Sequence, residues 1–201
     1  MATEPAALLL DEPLAALDVE SRQGIRRQLR QHLHDFRGPV LLVTHDAVEA
    51  ATLADRLVVL ESGAITQAGT VEEITRRPRS SWAARLAGMN LYRGRARGTR
   101  VALDDGGALV VAERCEGDVF VAVPPAAVAL FRTRPEGTPR NIWQTRADGF
   151  ETFADRVRVH LAGAPPIIAE ITPAAAADLD LAGGGTVYAA VKATEVSTYP
   201  R

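Results

Sequence analysis

Lysine is almost missing from this sequence. Of 23 basic side chains in 201 residues, one is a lysine, Lys192, and the rest are arginines. A lysine-dependent phosphate loop, G-x-x-x-x-G-K-[ST], needs its lysine on the outer phosphates of a nucleotide. Lys192 stands in Val191-Lys192-Ala193, with no glycine before it and no hydroxyl directly after it, so the sequence contains no such loop. Cysteine is scarce too: Cys115 is alone and has no partner within the chain for a disulfide, which fits a reducing compartment. No apolar run is long enough for a membrane span, because the longest, residues 119–131, is broken by Pro124 and Pro125. The first residues carry Glu4 and no basic region, which does not fit a secretory leader, and the composition predicts a soluble chain. A net charge of -2 and a pI near 6.1 give no broad positive field, which argues against a nucleic-acid partner.

What is present divides into two grammars. Residues 6–10, 40–43 and 57–60 are short apolar runs that read as strands buried on both faces. Between the first two, Asp18 can cap a helix, and Ile25, Leu29, Leu33 and Phe36 form one apolar stripe that Gly38-Pro39 ends. Arg22, Arg26, Arg27 and Arg30 read as the solvated face of that helix. A short helical pattern covers residues 47–54, and Thr70 with Glu73 reads as a capping box for a helix that Pro78 terminates. Strand and helix in alternation predict an α/β domain with a mostly parallel sheet over residues 1–88.

Beyond about Gly88 the helical stripes stop. Segments 100–103, 108–112, 119–123, 154–161, 167–171 and 186–191 read as strands. One helix is expected at 173–179, capped by Thr172 with proline in its first turn. This pattern predicts an all-β barrel or sandwich. Residues 89–136 read as a linker and first β segment, 137–201 as the barrel, and no internal repeat is evident. Arg93, Arg95, Arg97 and Arg100, beside Tyr92, read as a basic linker surface.

The first half carries a specific chemistry. Asp11 and Glu12 stand at the carboxyl end of a strand, where ligands sit in open α/β sheets. One carboxylate there can hold Mg²⁺ through water, and its neighbour can orient a water at a γ-phosphate. After Leu8-Leu9-Leu10-Asp11-Glu12-Pro13 come Leu14-Ala15-Ala16-Leu17-Asp18, then Val43-Thr44-His45-Asp46, then Asp55-Arg56-Leu57-Val58-Val59-Leu60-Glu61-Ser62-Gly63. In order and spacing this series resembles the C-terminal half of an ATP-binding cassette transporter ATPase, over residues 1 to about 88. The resemblance implies that Asp11 is the magnesium-side carboxylate and Glu12 polarises the hydrolytic water. It makes His45 the switch histidine and puts Asp18 in the loop facing a second subunit. The phosphate loop, glutamine loop and Leu-Ser-Gly-Gly-Gln-like signature of that family are absent, and residues 1–5 look like the stretch that follows the signature helix. The chain therefore reads as a member whose first part is missing, with its hydrolysis residues idle and no activity expected alone.

In the second half, Val121-Ala122-Val123-Pro124-Pro125-Ala126 resembles the strand and turn that open the accessory domain of importer ATPases. Thr138-Pro139-Arg140-Asn141 and Val191-Lys192-Ala193-Thr194 resemble the Ser-Ala-Arg-Asn and Val-Lys-Ala-Ser motifs of molybdate-binding barrels, small oligonucleotide-binding-like folds of the Mop/TOBE type. A tetrahedral dianion needs fixed cations together with hydroxyl and N–H donors. Arg140 offers a planar fork, Lys192 a compact ammonium, Thr138 and Thr194 hydroxyls, and Asn141 either an amide donor or a loop anchor. Pro139, where alanine is usual, removes one backbone donor.

Together the resemblances imply the C-terminal portion of the ATP-binding subunit of a molybdate importer, with a regulatory barrel that binds molybdate or tungstate. It would use ATP and Mg²⁺ when complete, pair with a second copy of itself and with membrane permease subunits, and lie in the cytoplasm at the inner face of the plasma membrane. Two alternatives stay open: a non-enzymatic molybdate store or sensor, and the ATPase of a sulfate, sugar or polyamine importer.

Overall fold

The computed structural model describes residues 5–153, 155–181 and 185–201, leaving aside the side chains of Val19 and Glu20. The sequence-read stretch at residues 1–4 and the strand start at Ala154 lie outside the described residues. The chain forms two units, Met1–Ala87 and Gly88–Arg201.

In the first unit, β1 (Leu8–Asp11) and β2 (Val40–Val43) pair in parallel, joined through helix α1 (Val19–Asp35). Asp18 caps α1 as its sequence suggests, accepting from the Ser21 amide at 2.9 Å. Helix α2 (Ala47–Leu53) follows, and then β3 (Leu57–Glu61) turns back on β4 (Ala64–Gly69) as an antiparallel hairpin. Ser62 and Gly63 both have positive φ at this turn, which is why a glycine stands there. Thr70 and Glu73 make the expected reciprocal capping box on α3 (Val71–Arg76), and a further helix, α4 (Ser81–Ala87), closes the unit.

The α/β alternation stands, but burial on both strand faces does not. Leu9 is 77% exposed, and across the ladder its partner Leu41, with Val43, is exposed too. The two-stranded sheets have no layer over these faces among the described residues, so only alternate side chains are covered. The buried cluster of this unit is elsewhere: Ala50, Leu57, Val59, Ile74 and Ala83, from α2, β3, α3 and α4.

The second unit is a curled, half-closed barrel of two sheets. Strands β5 (Asn90–Leu103) and β6 (Ala108–Val123) form a long hairpin. β5 bends at Gly98, whose positive φ coincides with a register shift. After the bend its far end folds over its start, so that the Asp104 amide donates to the Arg93 carbonyl at 2.9 Å. Next come β7 (Ala129–Phe131), β8 (Asn141–Thr152), β9 (Val157–Ala162), β10 (Ile167–Ile171), helix α5 (Pro173–Asp178), β11 (Thr186–Val191) and β12 (Ser197–Pro200). The sheet orders are β10-β9-β8-β11-β7 and β12-β6-β5. One core runs through both sheets, including Val101, Leu109, Val121, Val159, Val187 and Val191. The stretch read as linker and first β segment thus supplies β5, β6 and β7 of this unit. Its arginines alternate on the outer face, where Arg95 stands opposite Asp118 and Arg97 opposite Glu116, an arrangement of opposite charges across the ladder.

The unit contains an internal repeat that the sequence reading does not find. Asn90 pairs with Val123 as Asn141 pairs with Val191, Tyr92 with Val121 as Trp143 with Ala189, and Gly94 with Val119 as Thr145 with Val187. Each inner strand is followed by a 3-10 turn, Pro125–Ala127 in one copy and Ala193–Glu195 in the other. The strand after each turn then crosses to the other copy: β7 pairs with β11, and β12 with β6. The intervening 51-residue and 68-residue offsets differ because β9, β10 and α5 lie between, which hides the repeat from a fixed-period scan.

Candidate functional site

The first candidate site stands where β1 and β2 end. The Glu12 amide extends the ladder to the Val43 carbonyl at 2.9 Å, and a positive φ of 45° turns the Glu12 side chain toward the end of β2. There its Oε1 accepts from the His45 amide at 3.1 Å and lies 2.6 Å from His45 Nδ1. The structure therefore brings together Glu12 and His45, two residues far apart in sequence that the motif reading paired. Asp11 is exposed at the end of β1, on the sheet face of Leu9. Asp18 stays at the start of α1 as its cap.

A supporting network, not anticipated from the sequence, holds His45 in place. Asp46 caps α2 through the Val48 and Glu49 amides at 2.8 and 2.9 Å. Thr44 donates to the buried Glu49 carboxylate at 2.6 Å and accepts from the Asp46 amide. Arg22 and Arg26 do not form a solvated face: both reach Asp46, at 3.7 and 3.8 Å, and Arg22 also donates to the Leu17 carbonyl. Their i, i+4 spacing puts both on the side of α1 that meets α2. Burial pushes the Asp46 carboxyl up, but the two amides and the two guanidinium charges outweigh it, and the net shift is downward.

His45 is raised above its usual 6.5, first by its hydrogen bond to Glu12 and then by that carboxylate's charge. The sign follows: the contact favours the folded state fully below the unfolded pKa, and that contribution disappears as pH rises through the raised folded value. We expect the His45 ring resonances to titrate with a midpoint above 6.5, and Glu12→Gln to bring the midpoint down. An unchanged midpoint would mean that the contact is not formed in solution. The cavity behind this pair, bordered by Leu14, Arg22, Asp46 and Glu49, measures roughly 60 Å³. Ligand-sized sites run from about 300 Å³, so this corner is too small to enclose a ligand of that size by itself.

The second candidate site is the end of the β8–β11 ladder. Asn141 and Val191 are directly paired at the end of the ladder, and Arg140 and Lys192 are the residues immediately outside each strand there. Thr194 follows in the 3-10 turn, and Thr138 precedes β8 by three residues. Thr138, Arg140, Lys192 and Thr194 are all exposed, and all four lie just outside the same end of the β8–β11 ladder. Adjacent cations repel unless an anion lies between them, and a planar fork beside an ammonium suits a multiply charged oxyanion.

Asn141 differs from these four. It is 5% exposed, and its Oδ1 accepts from the Val110 amide at 2.6 Å. Its Nδ2 donates to the Val110 and Val191 carbonyls at 2.9 and 3.3 Å. Asn90 is its counterpart, accepting from the Ile168 amide and donating to the Ile168 and Val123 carbonyls. The shared Asn-apolar-aromatic string, Asn90-Leu91-Tyr92 and Asn141-Ile142-Trp143, is the sequence signal that could have identified Asn90.

Among the described residues, no group of three or more His, Cys, Asp or Glu is placed to hold a metal ion, and no helix is long and apolar enough to cross a membrane.

Residues 138–198 match the TOBE domain family. All of the chain aligns at 40% identity with 57% of the molybdenum import ATP-binding protein ModC of Mycobacterium tuberculosis. All of it also aligns at 29% identity with 58% of the molybdate/tungstate import ATP-binding protein WtpC of Pyrococcus horikoshii. A sulfate/thiosulfate import ATP-binding protein, CysA 2 of Chromobacterium violaceum, is 34% identical over the whole chain and 56% of its own length. The chain thus spans a little over half the length of the curated relatives it matches. In sequence the chain is similar along its whole length to molybdenum and sulfate/thiosulfate import ATP-binding proteins, and its residues 138–198 match the TOBE domain.

Proposed function

We propose that this chain is the C-terminal portion of the ATP-binding subunit of a molybdate or tungstate importer, with an oxyanion-binding end on its second unit. The observation that supports the cargo assignment is the pairing of Asn141 with Val191, from which Arg140 and Lys192 leave the same end of the ladder, with Thr194 two residues further on. Molybdate and tungstate have nearly the same size and charge, so this end receives both alike. All four side chains are exposed, and a second copy meeting the first here would exclude water and strengthen their hold on the anion.

In the first unit, Glu12 and His45 would face the γ-phosphate of a bound nucleotide. Glu12 would orient the attacking water, and His45, held by that same carboxylate, would donate a hydrogen bond to the phosphate. Asp11 suits the role of one carboxylate arm for Mg²⁺, which is commonly held by one or two carboxylates with water and phosphate. The ion, when bound, would supply charge neutralisation at the phosphates. The chain has no phosphate-loop lysine, so most of the grip on nucleotide must come from residues beyond these 201. Permease subunits and a second ATPase copy would be its partners, at the cytoplasmic face of the membrane.

Titration calorimetry tests this directly, with molybdate, sulfate and Mg-ATP each added to the chain and to Lys192→Ala. We expect about micromolar molybdate binding, near -8 kcal/mol. The substitution should weaken it at least tenfold, the loss of one charge-assisted contact of roughly 1.5–3 kcal/mol. ATP turnover should be negligible. Sulfate binding tighter than molybdate would move the assignment to the sulfate importers, which the CysA relative also suggests. Absence of heat with either anion would end the oxyanion reading.

A further inference from the structure

The two copies in the barrel differ in one chemical respect. Counting from the paired asparagines, the counterpart of Arg140 is Met89; counting from Val191 and Val123, that of Lys192 is Pro124 and that of Thr194 is Ala126. Every cationic or hydroxyl side chain at the anion end of one copy is thus apolar in the other. The backbone is retained: the ladder register, the 3-10 turn and the crossing strand agree in both. The asparagine is retained as well, with the same three hydrogen bonds.

That contrast separates two roles that the sequence motif merges. A side chain kept where the anion chemistry has gone serves something both copies need. Asn90 and Asn141 each tie their own copy to the other: Asn90 joins the start of β5 to β10, and Asn141 joins the start of β8 to the Val110 backbone in β6. Both amide hydrogens of Asn141 are used in these bonds, and the residue is buried. None is left to offer an anion.

We propose that residues 88–131 are a second copy of the fold in residues 139–199 that has lost its anion site, so that the barrel offers one oxyanion-binding end per chain, and that Asn141 is a clamp between copies and not a ligand. The count of sites rests on the oxyanion reading above; the clamp assignment does not. Recognition then falls on Thr138, Arg140, Lys192 and Thr194. The Asn in the Thr-Pro-Arg-Asn string contributes through the strand ends it fixes, and its partner Val191 is the residue before Lys192.

Two measurements on the intact chain decide this. Calorimetric stoichiometry should give one molybdate per chain, abolished or weakened at least tenfold by Lys192→Ala and unchanged by Pro124→Ala. Two molybdates per chain, with one surviving Lys192→Ala, would overturn the single-site claim. Amide hydrogen exchange of the wild-type chain reads the clamp without any substitution. The Val110 and Ile168 amides should be protected to within about tenfold of each other, and neither should change on saturation with molybdate. Faster exchange at Val110 alone when molybdate is added would show Asn141 turning to the anion, and the clamp assignment would fail. If the chain takes up no molybdate, the oxyanion reading and the site count fall together, while unequal protection of the two amides at rest would refute the clamp by itself.

Discussion

Gly94→Ala should lower the melting temperature of the second unit by more than ten degrees. A Cβ on Gly94 would lie 2.4 Å from the Ala102 carbonyl oxygen and 3.2 Å from its carbon. Both are backbone atoms, so no side-chain rotation relieves the overlap. The close approach arises because β5 folds over itself after Gly98, bringing its two ends within reach of each other. Relief would require unbending the strand that supplies Tyr92, Ala96 and Val101 to the core. Overpacking of this kind costs about 3 kcal/mol, and each kcal/mol shifts a domain of this size by roughly 4 °C or more. Gly149→Ala is the matched control: nothing lies within 4 Å of its added Cβ and its φ is unrestrictive, so the change should be near neutral. Similar melting of both variants by calorimetry or circular dichroism would contradict the bent-strand account.

Ile74→Ala should be the most damaging simple truncation in the first unit. Ile74 is fully buried and joins α3 to Ala50, Leu57, Val59 and Ala83. Truncating a buried isoleucine costs about 2–5 kcal/mol, and a cluster this small has little to spare. The outward-facing Leu60, 68% exposed on the same hairpin, gives the contrast: Leu60→Ser should change stability by less than about 0.5 kcal/mol. Amide resonances of residues 47–87 report the outcome. Equal loss at both positions would mean that the hairpin's two faces are not distinguished as the structure has them.

The elements that sequence reading recovered are those whose signals are local. Asp18 and the Thr70–Glu73 box announce helix starts with their own side chains, and the Ile25, Leu29, Leu33 and Phe36 stripe needs only α1 to be seen. Proline after Thr172 marks α5 in the same way. Strand β4 escaped because Ala64–Gly69 has neither an apolar run nor clean alternation; its pairing with β3 comes from the positive-φ turn before it. The start of β5 read as a basic surface because its alternating arginines are answered by acids on β6, and only the register shows which acid faces which arginine.

The sites divide along the same line. Glu12 and His45 were found from ordered motifs, and the ladder ends did bring them into contact. Arg22 and Arg26 were misread because a helix face looks solvated until the residue it meets, here Asp46, is known. In the second unit the Thr-Pro-Arg-Asn and Val-Lys-Ala-Thr strings were legible, yet the hydrogen bonds that Asn141 makes to Val110 were not. Its partner Val110 belongs to the other copy, and no local pattern announces a contact across a repeat.

The crossing of β7 and β12 has a consequence for how the second unit comes into being. Each copy closes only with a strand lent by the other, and residues 197–200 complete a sheet begun by residues 119–122. On the ribosome, neither copy can finish until β11 and β12 have left the exit tunnel. Ordering β12 against so distant a partner makes closure of the barrel a late and slow event. The proposed anion end draws on the same late segment, since Lys192 and Thr194 lie just upstream of β12. Anion binding at this end, as proposed above, would therefore report on a chain in which β12 is in place.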